Sequence, residues 1–203
     1  MAVDQSVFQT QGAAGGGPVT YFMKDKNGVI AEVEIARDQF KPPATGFYLL
    51  RLKAFSAPFE MDGQFGKSKS VRAVFVVKAP GTFNDKAMFS QLLSVAKVTQ
   101  DGTWRSNITA NSAVGKMIAA IRGAEIQDGE PINLLTFLNG EFAAMVNQST
   151  KQGQNGVEVY GNVVKDTWQP ASAVTGQQAA PQPVAAAAPA GGATGNVFLD
   201  DDD

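Results

Sequence analysis

Between Lys41 and Lys78 the chain sets seven basic residues, Lys41, Arg51, Lys53, Lys67, Lys69, Arg72 and Lys78, against only Glu60 and Asp62, a local charge of +5. Six aromatic rings lie among them: Phe47, Tyr48, Phe55, Phe59, Phe65 and Phe75. Capturing a single nucleic-acid strand without reading its sequence needs cations that track phosphates and flat rings on which bases stack, each stack being worth roughly 1–3 kcal/mol. This window supplies both. From Phe47 to Phe55, Tyr48, Leu50, Leu52 and Ala54 alternate with Phe47, Leu49, Arg51, Lys53 and Phe55. The even positions are therefore expected in a core and the odd ones on a face where two cations are flanked by aromatics. Tyr48 and Phe75 are expected to be core by pattern. Phe47, Arg51, Lys53, Phe55, Phe59, Phe65, Lys67, Lys69 and Arg72 are expected on the binding surface, with Trp104 and Arg105, and also Trp168, as candidates for stacking or cation–π contact. The competing reading is that the rings fill the core while the cations solvate a sheet face.

Other chemistry is thinly represented. With no Cys and no His, disulfides, thiolate zinc sites, cysteine nucleophiles and the commonest general base are excluded. A metal would have to be a hard cation held by carboxylates, and a base would have to be a carboxylate or a lysine. Glu125, Asp128 and Glu130 lack the ligand spacing of an EF-hand and read as a solvated loop. Gly66-Lys67-Ser68 resembles the end of a phosphate-binding loop, but the glycine required five positions earlier is Met61, and the segment runs into a strand. No catalysis, cofactor or metal is expected. The start, Met1-Ala2-Val3-Asp4-Gln5, lacks a basic and then apolar leader, and no segment approaches eighteen apolar residues, so a soluble cytoplasmic protein is expected.

Positioning these residues falls to one domain over residues 18–170, preceded by a Gly-rich flexible arm (1–17) and followed by an Ala/Pro/Gln/Gly tail (171–203) with too few large apolar side chains to fold. All seventeen basic residues lie between Lys24 and Lys165 against fifteen acidic ones up to Asp166, so the body is +2 (17 − 15) and the tail, ending in Asp200 to Asp203, is −4. Such a split suits a polyanion-binding body with its own competitor or adaptor. Asn27-Gly28 between Val19–Lys24 and Val29–Ile35 predicts a hairpin. Strands are also expected at Phe47–Phe55, at Lys67–Lys78 as a central strand, and in a closing hairpin of Glu141–Gln148 with Val157–Lys165. Met88, Leu92, Val95 and Ala96 predict a first helix over Asp85–Val98. Val114, Met117, Ile118 and Ile121, capped by Asn111 or Ser112 and Gly123, predict a second, with a helical turn at Asn133–Leu138. The fold class expected is mainly β with a helical insertion, a small barrel like the oligonucleotide-binding (OB) fold.

Pro43-Ala44-Thr45-Gly46-Phe47-Tyr48, the Gly63-Gln64-Phe65-Gly66 loop, Ser112-Ala113-Val114-Gly115-Lys116-Met117 and Leu134-Leu135-Thr136-Phe137-Leu138-Asn139-Gly140-Glu141-Phe142 follow one another in an order that resembles bacteriophage single-stranded DNA-binding proteins with an OB-fold, over about residues 18 to 170. The acidic tail is similar to that of bacterial single-stranded DNA-binding proteins. There the tail recruits replication and repair proteins; here Phe198-Leu199 precede Asp200, Asp201, Asp202 and Asp203 instead of following the acids. The resemblance implies a protein that coats single-stranded DNA in phage replication or recombination. Its tail residues Phe198 to Asp203 would meet replication or recombination proteins, or fold back on the body's basic groove. No membrane partner is expected, and a homo-oligomer is left open. The rival readings are a virion or scaffold component and a carboxylate-metal nuclease.

Overall fold

The computed structural model describes residues 19–63, 66–78, 83–127, 129–153 and 156–174, so the terminal arm, Phe65 and the acidic tip with Phe198 and Leu199 lie outside the described residues. Val19–Lys24 (β1) and Ile30–Ile35 (β2) pair antiparallel from Val19↔Ile35 to Lys24↔Ile30. Their turn is closed by Asp25, whose Oδ1 accepts the main-chain N–H groups of Asn27 and Val29, both at 2.8 Å, while Gly28 supplies the positive φ of 84° that the Asn-Gly signal required.

β3 (Gly46–Ser56) is the hub. One edge pairs with β8 (Glu141–Gly153) from Gly46 to Arg51, and with β1 from Ala54 to Ser56. The other edge pairs with β5 (Gly66–Lys78), which in turn pairs with β6 (Phe83–Val98). β4 (Phe59–Gly63) folds back on the start of β5, β7 (Trp104–Ser106) pairs with the end of β6, and β9 (Gly156–Val163) and β10 (Gln169–Pro170) pair with β8. The chain is mainly β, and its sheet curls into an open half-barrel. Its ends approach where Val163 N–H donates to Gln91 Oε1 at 3.0 Å and where Gly161 lies so close to the Phe89 ring and Pro42 that a Cβ would press on both. Three antiparallel strands (β3, β5, β6), one helix, a strand that pairs with the first of them (β8) and one that approaches the third (β9) make an order compatible with the OB arrangement.

That helix, α1 (Ala113–Arg122), carries both expected caps. Ser112 Oγ accepts Gly115 N–H, and Gly123 turns left-handed at φ 72°. Val114, Met117 and Ile118 are fully buried in an inner core with Leu50, Leu52, Phe55, Phe75, Phe89, Leu93 and Phe142. Gly115, which a propensity scale marks as a weakness, lets α1 settle on the preceding loop: a Cβ there would collide with the Thr109 carbonyl. The expected turn near 133–138 is a single 3-10 turn, Leu134–Phe137, N-capped by Asn133. A second, smaller core lies on the outer side of the same sheet, where Ala54, Val74, Val76 and Met88 meet Tyr21, Ile35 and Phe40.

Two expectations fail. Asp85–Val98 is not a helix; it lies within β6, the longest strand, paired with β5 from Phe83 to Lys97. The spacing of Met88, Leu92, Val95 and Ala96 fits a helix, but β6 irregularities displace the alternation near residues 85–87 and 95 and so disguise a period of two. The main-chain ladder offered by a central strand outweighs the local pattern. The second failure is Phe55. A bulge at Lys53, between the pairs Leu52↔Phe75 and Ala54↔Val74, reverses the inside-outside order, so Phe55 turns into the inner core and is 1% exposed.

Candidate nucleic-acid interface

Beyond the barrel, β4, the first residues of β5, the last of β6 and β7 form a four-stranded antiparallel extension in the order β4-β5-β6-β7. Its side chains are exposed or half-buried on both faces, apart from Ser70 where it joins the barrel. Register assigns the faces, because residues directly opposite across a ladder point the same way. Met61↔Ser68↔Lys97↔Arg105 run across the outer face, with Phe59↔Ser70↔Ser94 and then Arg72↔Leu92 nearer the barrel. Asp62↔Lys67 and Glu60↔Lys69↔Ala96↔Ser106 run across the inner face, which also carries Trp104.

The two faces differ in charge. On the inner face, Lys67 and Lys69 each stand opposite an acid, which offsets them. On the outer face, Arg72, Lys97 and Arg105 meet no acid among the described in-register positions, and Lys97 sits directly opposite Arg105. Like charges facing each other across a ladder are destabilising on their own. They become favourable when an anion lies between or across them, as a phosphate backbone would. Arg72 Cζ lies 5.6 Å from the Phe59 ring centroid, and Met61 and Leu92 expose 37% and 42% of their surface beside them. A base laid on Phe59 would therefore have a cation beside the ring and apolar surface around it. On the inner face Lys69 Nζ stands 4.7 Å over the Trp104 ring, itself 38% exposed, a second ring–cation pair.

The turn that presents Trp104 and Arg105 is tightly bonded. Thr103 Oγ1 donates to Asp101 Oδ1 at 2.8 Å, Thr99 Oγ1 also donates to it, and Gly102 takes a φ of 80°. The Thr99 hydroxyl, then that of Thr103, holds the Asp101 carboxyl below its ordinary range.

The remaining candidates separate from this arm. Arg51 Nη2 donates to Glu141 Oε1 at 2.9 Å and its guanidinium lies 3.9 Å from the Phe83 ring centroid, with Lys78 on the same ring at 5.9 Å. Glu141 offsets much of the Arg51 charge, so this cluster offers a phosphate mainly Lys78. Phe47 is half-buried opposite Met145 at the far end of β3, nine residues or about 30 Å along the strand from Ser56. Lys53, the bulge residue, lines a separate depression on the barrel. Tyr48 is partly buried against the inner core; its hydroxyl donates to the Ala44 carbonyl at 2.9 Å, and burial pushes its pKa up. Trp168 packs on Phe142 and Phe75, at 5.0 and 6.2 Å between centroids, and serves the core. The expected single groove is thus replaced by an arm, a barrel-end cluster and a depression.

Lys97 and Phe83 were missed because the expected helix covered one and began just after the other. A signal for Lys97 was present: Asp101-Gly102 between Val98-Thr99 and Thr103-Trp104 is a hairpin pattern, which would have made residues up to Val98 a strand. Glu130, from the loop read as solvated, accepts both guanidinium nitrogens of Arg122 at 2.5 and 3.3 Å and the Gln127 N–H at 3.1 Å, which hold its carboxyl below the ordinary range, Arg122 foremost. No protein-family model matches the chain, and no curated protein matches it.

Proposed function

We propose that this protein binds and coats single-stranded DNA without reading its sequence and without catalysis, with the four-stranded arm as its principal contact. The observation that carries the reading is the outer face of the arm: three cations with no in-register acid, two of them directly opposed, beside an aromatic ring and exposed apolar side chains. The like-charge cross-strand pair is destabilising while it stands alone, and a phosphate backbone neutralises it. Stacking on Phe59 and Trp104 would favour unpaired bases over a duplex, whose bases are already stacked. The action belongs in the cytoplasm, in replication or recombination as in the phage proteins the chain resembles. The acidic tip at Asp200 to Asp203 would compete for the basic face or meet partner proteins. Among the described residues no helix is long and apolar enough to cross a membrane.

Fluorescence anisotropy with labelled single- and double-stranded oligonucleotides across a salt series tests this. Single strands should bind more tightly than duplex, with log K falling linearly in log salt. Equal affinity for both, or no salt dependence, would refute the proposal and favour an assembly protein.

A further inference from the structure

The three residues of β7 are all exposed, so no buried side chain fixes their place on the arm. The strand is held from its two ends. At the far end Asn107 N–H donates to the Val95 carbonyl at 2.9 Å, which leaves Trp104 the β7 residue most distant from that anchor. At the near end one carboxylate oxygen, Asp101 Oδ1, accepts the Thr99 hydroxyl, the Thr103 hydroxyl at 2.8 Å and the Thr103 main-chain N–H at 3.2 Å. Around it Thr99 N–H donates to the Thr103 carbonyl and Gly102 N–H to the Thr99 carbonyl, both at 2.9 Å. Thr99 directly follows β6 and Thr103 directly precedes β7. Asp101 therefore ties the two strands together where the ladder places Trp104 opposite Val98 and Arg105 opposite Lys97.

Its charge works against its position. A carboxylate next to a basic face repels the phosphates that Lys97 and Arg105 would attract. Coulomb interaction alone therefore makes removal of Asp101 an improvement for strand binding, whereas loss of its hydrogen bonds frees the ring and the guanidinium that the turn holds out. We infer that Asp101 is a positioning residue of the arm, fixing Trp104 beneath Lys69 and Arg105 opposite Lys97, and that this placement outweighs the repulsion its charge exerts. The effect on DNA rests on the strand-binding reading above; the placement of the ring does not.

Two substitutions in the full-length protein remove the same charge and differ in the acceptor. Asp101→Asn keeps an oxygen for the three donors, and Asp101→Ala has none. Without DNA, the ε-methylene protons of Lys69, whose Nζ stands 4.7 Å from the Trp104 ring centroid, report the ring by its shielding. That shielding should persist in Asp101→Asn and vanish in Asp101→Ala, with the barrel resonances unchanged in both. With a labelled single-stranded oligonucleotide, Asp101→Asn should bind as tightly as the native protein or more tightly. Asp101→Ala should bind at least about fivefold more weakly than Asp101→Asn, the low end for one lost stack, and lower the slope of log K against log salt by about 0.7, one phosphate contact. Shielding retained in Asp101→Ala, or an Asp101→Ala protein that keeps none of the shielding yet binds DNA as tightly as Asp101→Asn, separates the two levels: the first overturns the positioning role, and the second upholds it while overturning the arm as the strand contact.

Discussion

β5 crosses two regions that treat the same residue types in opposite ways. From Val71 to Val77 every residue but Arg72 is buried, and Phe75 sits edge-on to Phe142 with their centroids 5.5 Å apart. From Gly66 to Lys69 the same strand runs through an arm with no core on either side. In the barrel, rings meet rings: Phe75 contacts Phe89, Phe142 and Trp168. In the arm, two rings among the described residues meet cations instead, Phe59 with Arg72 and Trp104 with Lys69. An aromatic residue in this fold is thus structural or available according to whether a second layer covers its strand, and composition alone does not separate the two.

Substitutions can break that contrast. Phe75→Ala should cost about 3–5 kcal/mol of stability, read from the denaturant midpoint at constant m-value, because it empties the centre of the inner core. Phe59→Ala should leave the midpoint within about 1 kcal/mol, since its ring is only half-buried, yet weaken single-strand binding by roughly 1–3 kcal/mol. A Phe59→Ala protein as unstable as Phe75→Ala would put the arm ring in a core and erase the distinction. A sharper version replaces Arg72, Lys97 and Arg105 by Gln together. The salt slope of single-strand binding should shrink by about 2, at roughly 0.7 per phosphate contact, with stability held or slightly improved by relief of the Lys97–Arg105 repulsion. An unchanged slope would move the contact off the outer face.

The smallest expected effect lies away from both regions, at Arg122 and Glu130. Arg122 lowers the folded-state pKa of Glu130, so the stabilisation from this pair is present above the ordinary Glu range and disappears as pH falls through the lowered value. The stability gap between the protein and Arg122→Gln should therefore be constant near neutrality and close in acid. A gap that persists at low pH would mean that Arg122 acts instead through its bond to the Glu125 carbonyl.

Much of this architecture could be read from residue order. Asn27-Gly28, the apolar run of Val71 to Val77 and the caps Ser112 and Gly123 each act through local chemistry, and each element formed where that chemistry placed it. Phe55 and β6 could not be read in the same way, because both depend on bulges, and a bulge is a property of two paired strands. The candidate surface inherited those errors. A reading that assumes unbroken alternation puts Phe55 outside, and one that takes Met88 to Ala96 as helical hides Lys97 from its neighbour Arg105. Arg72, Lys69, Phe59 and Trp104 were reachable because they flank the irregularities without depending on them.

The bulge at Lys53 is one residue added to β3. Deleting that one residue would set Ala54 directly after Leu52, so that plain alternation keeps Ala54 outward and Phe55 inward as they now lie, and would remove a lysine from the lining of the depression at the same time. The side that each later position faces therefore survives the loss of Lys53, and what the bulge adds to this strand is the lysine itself.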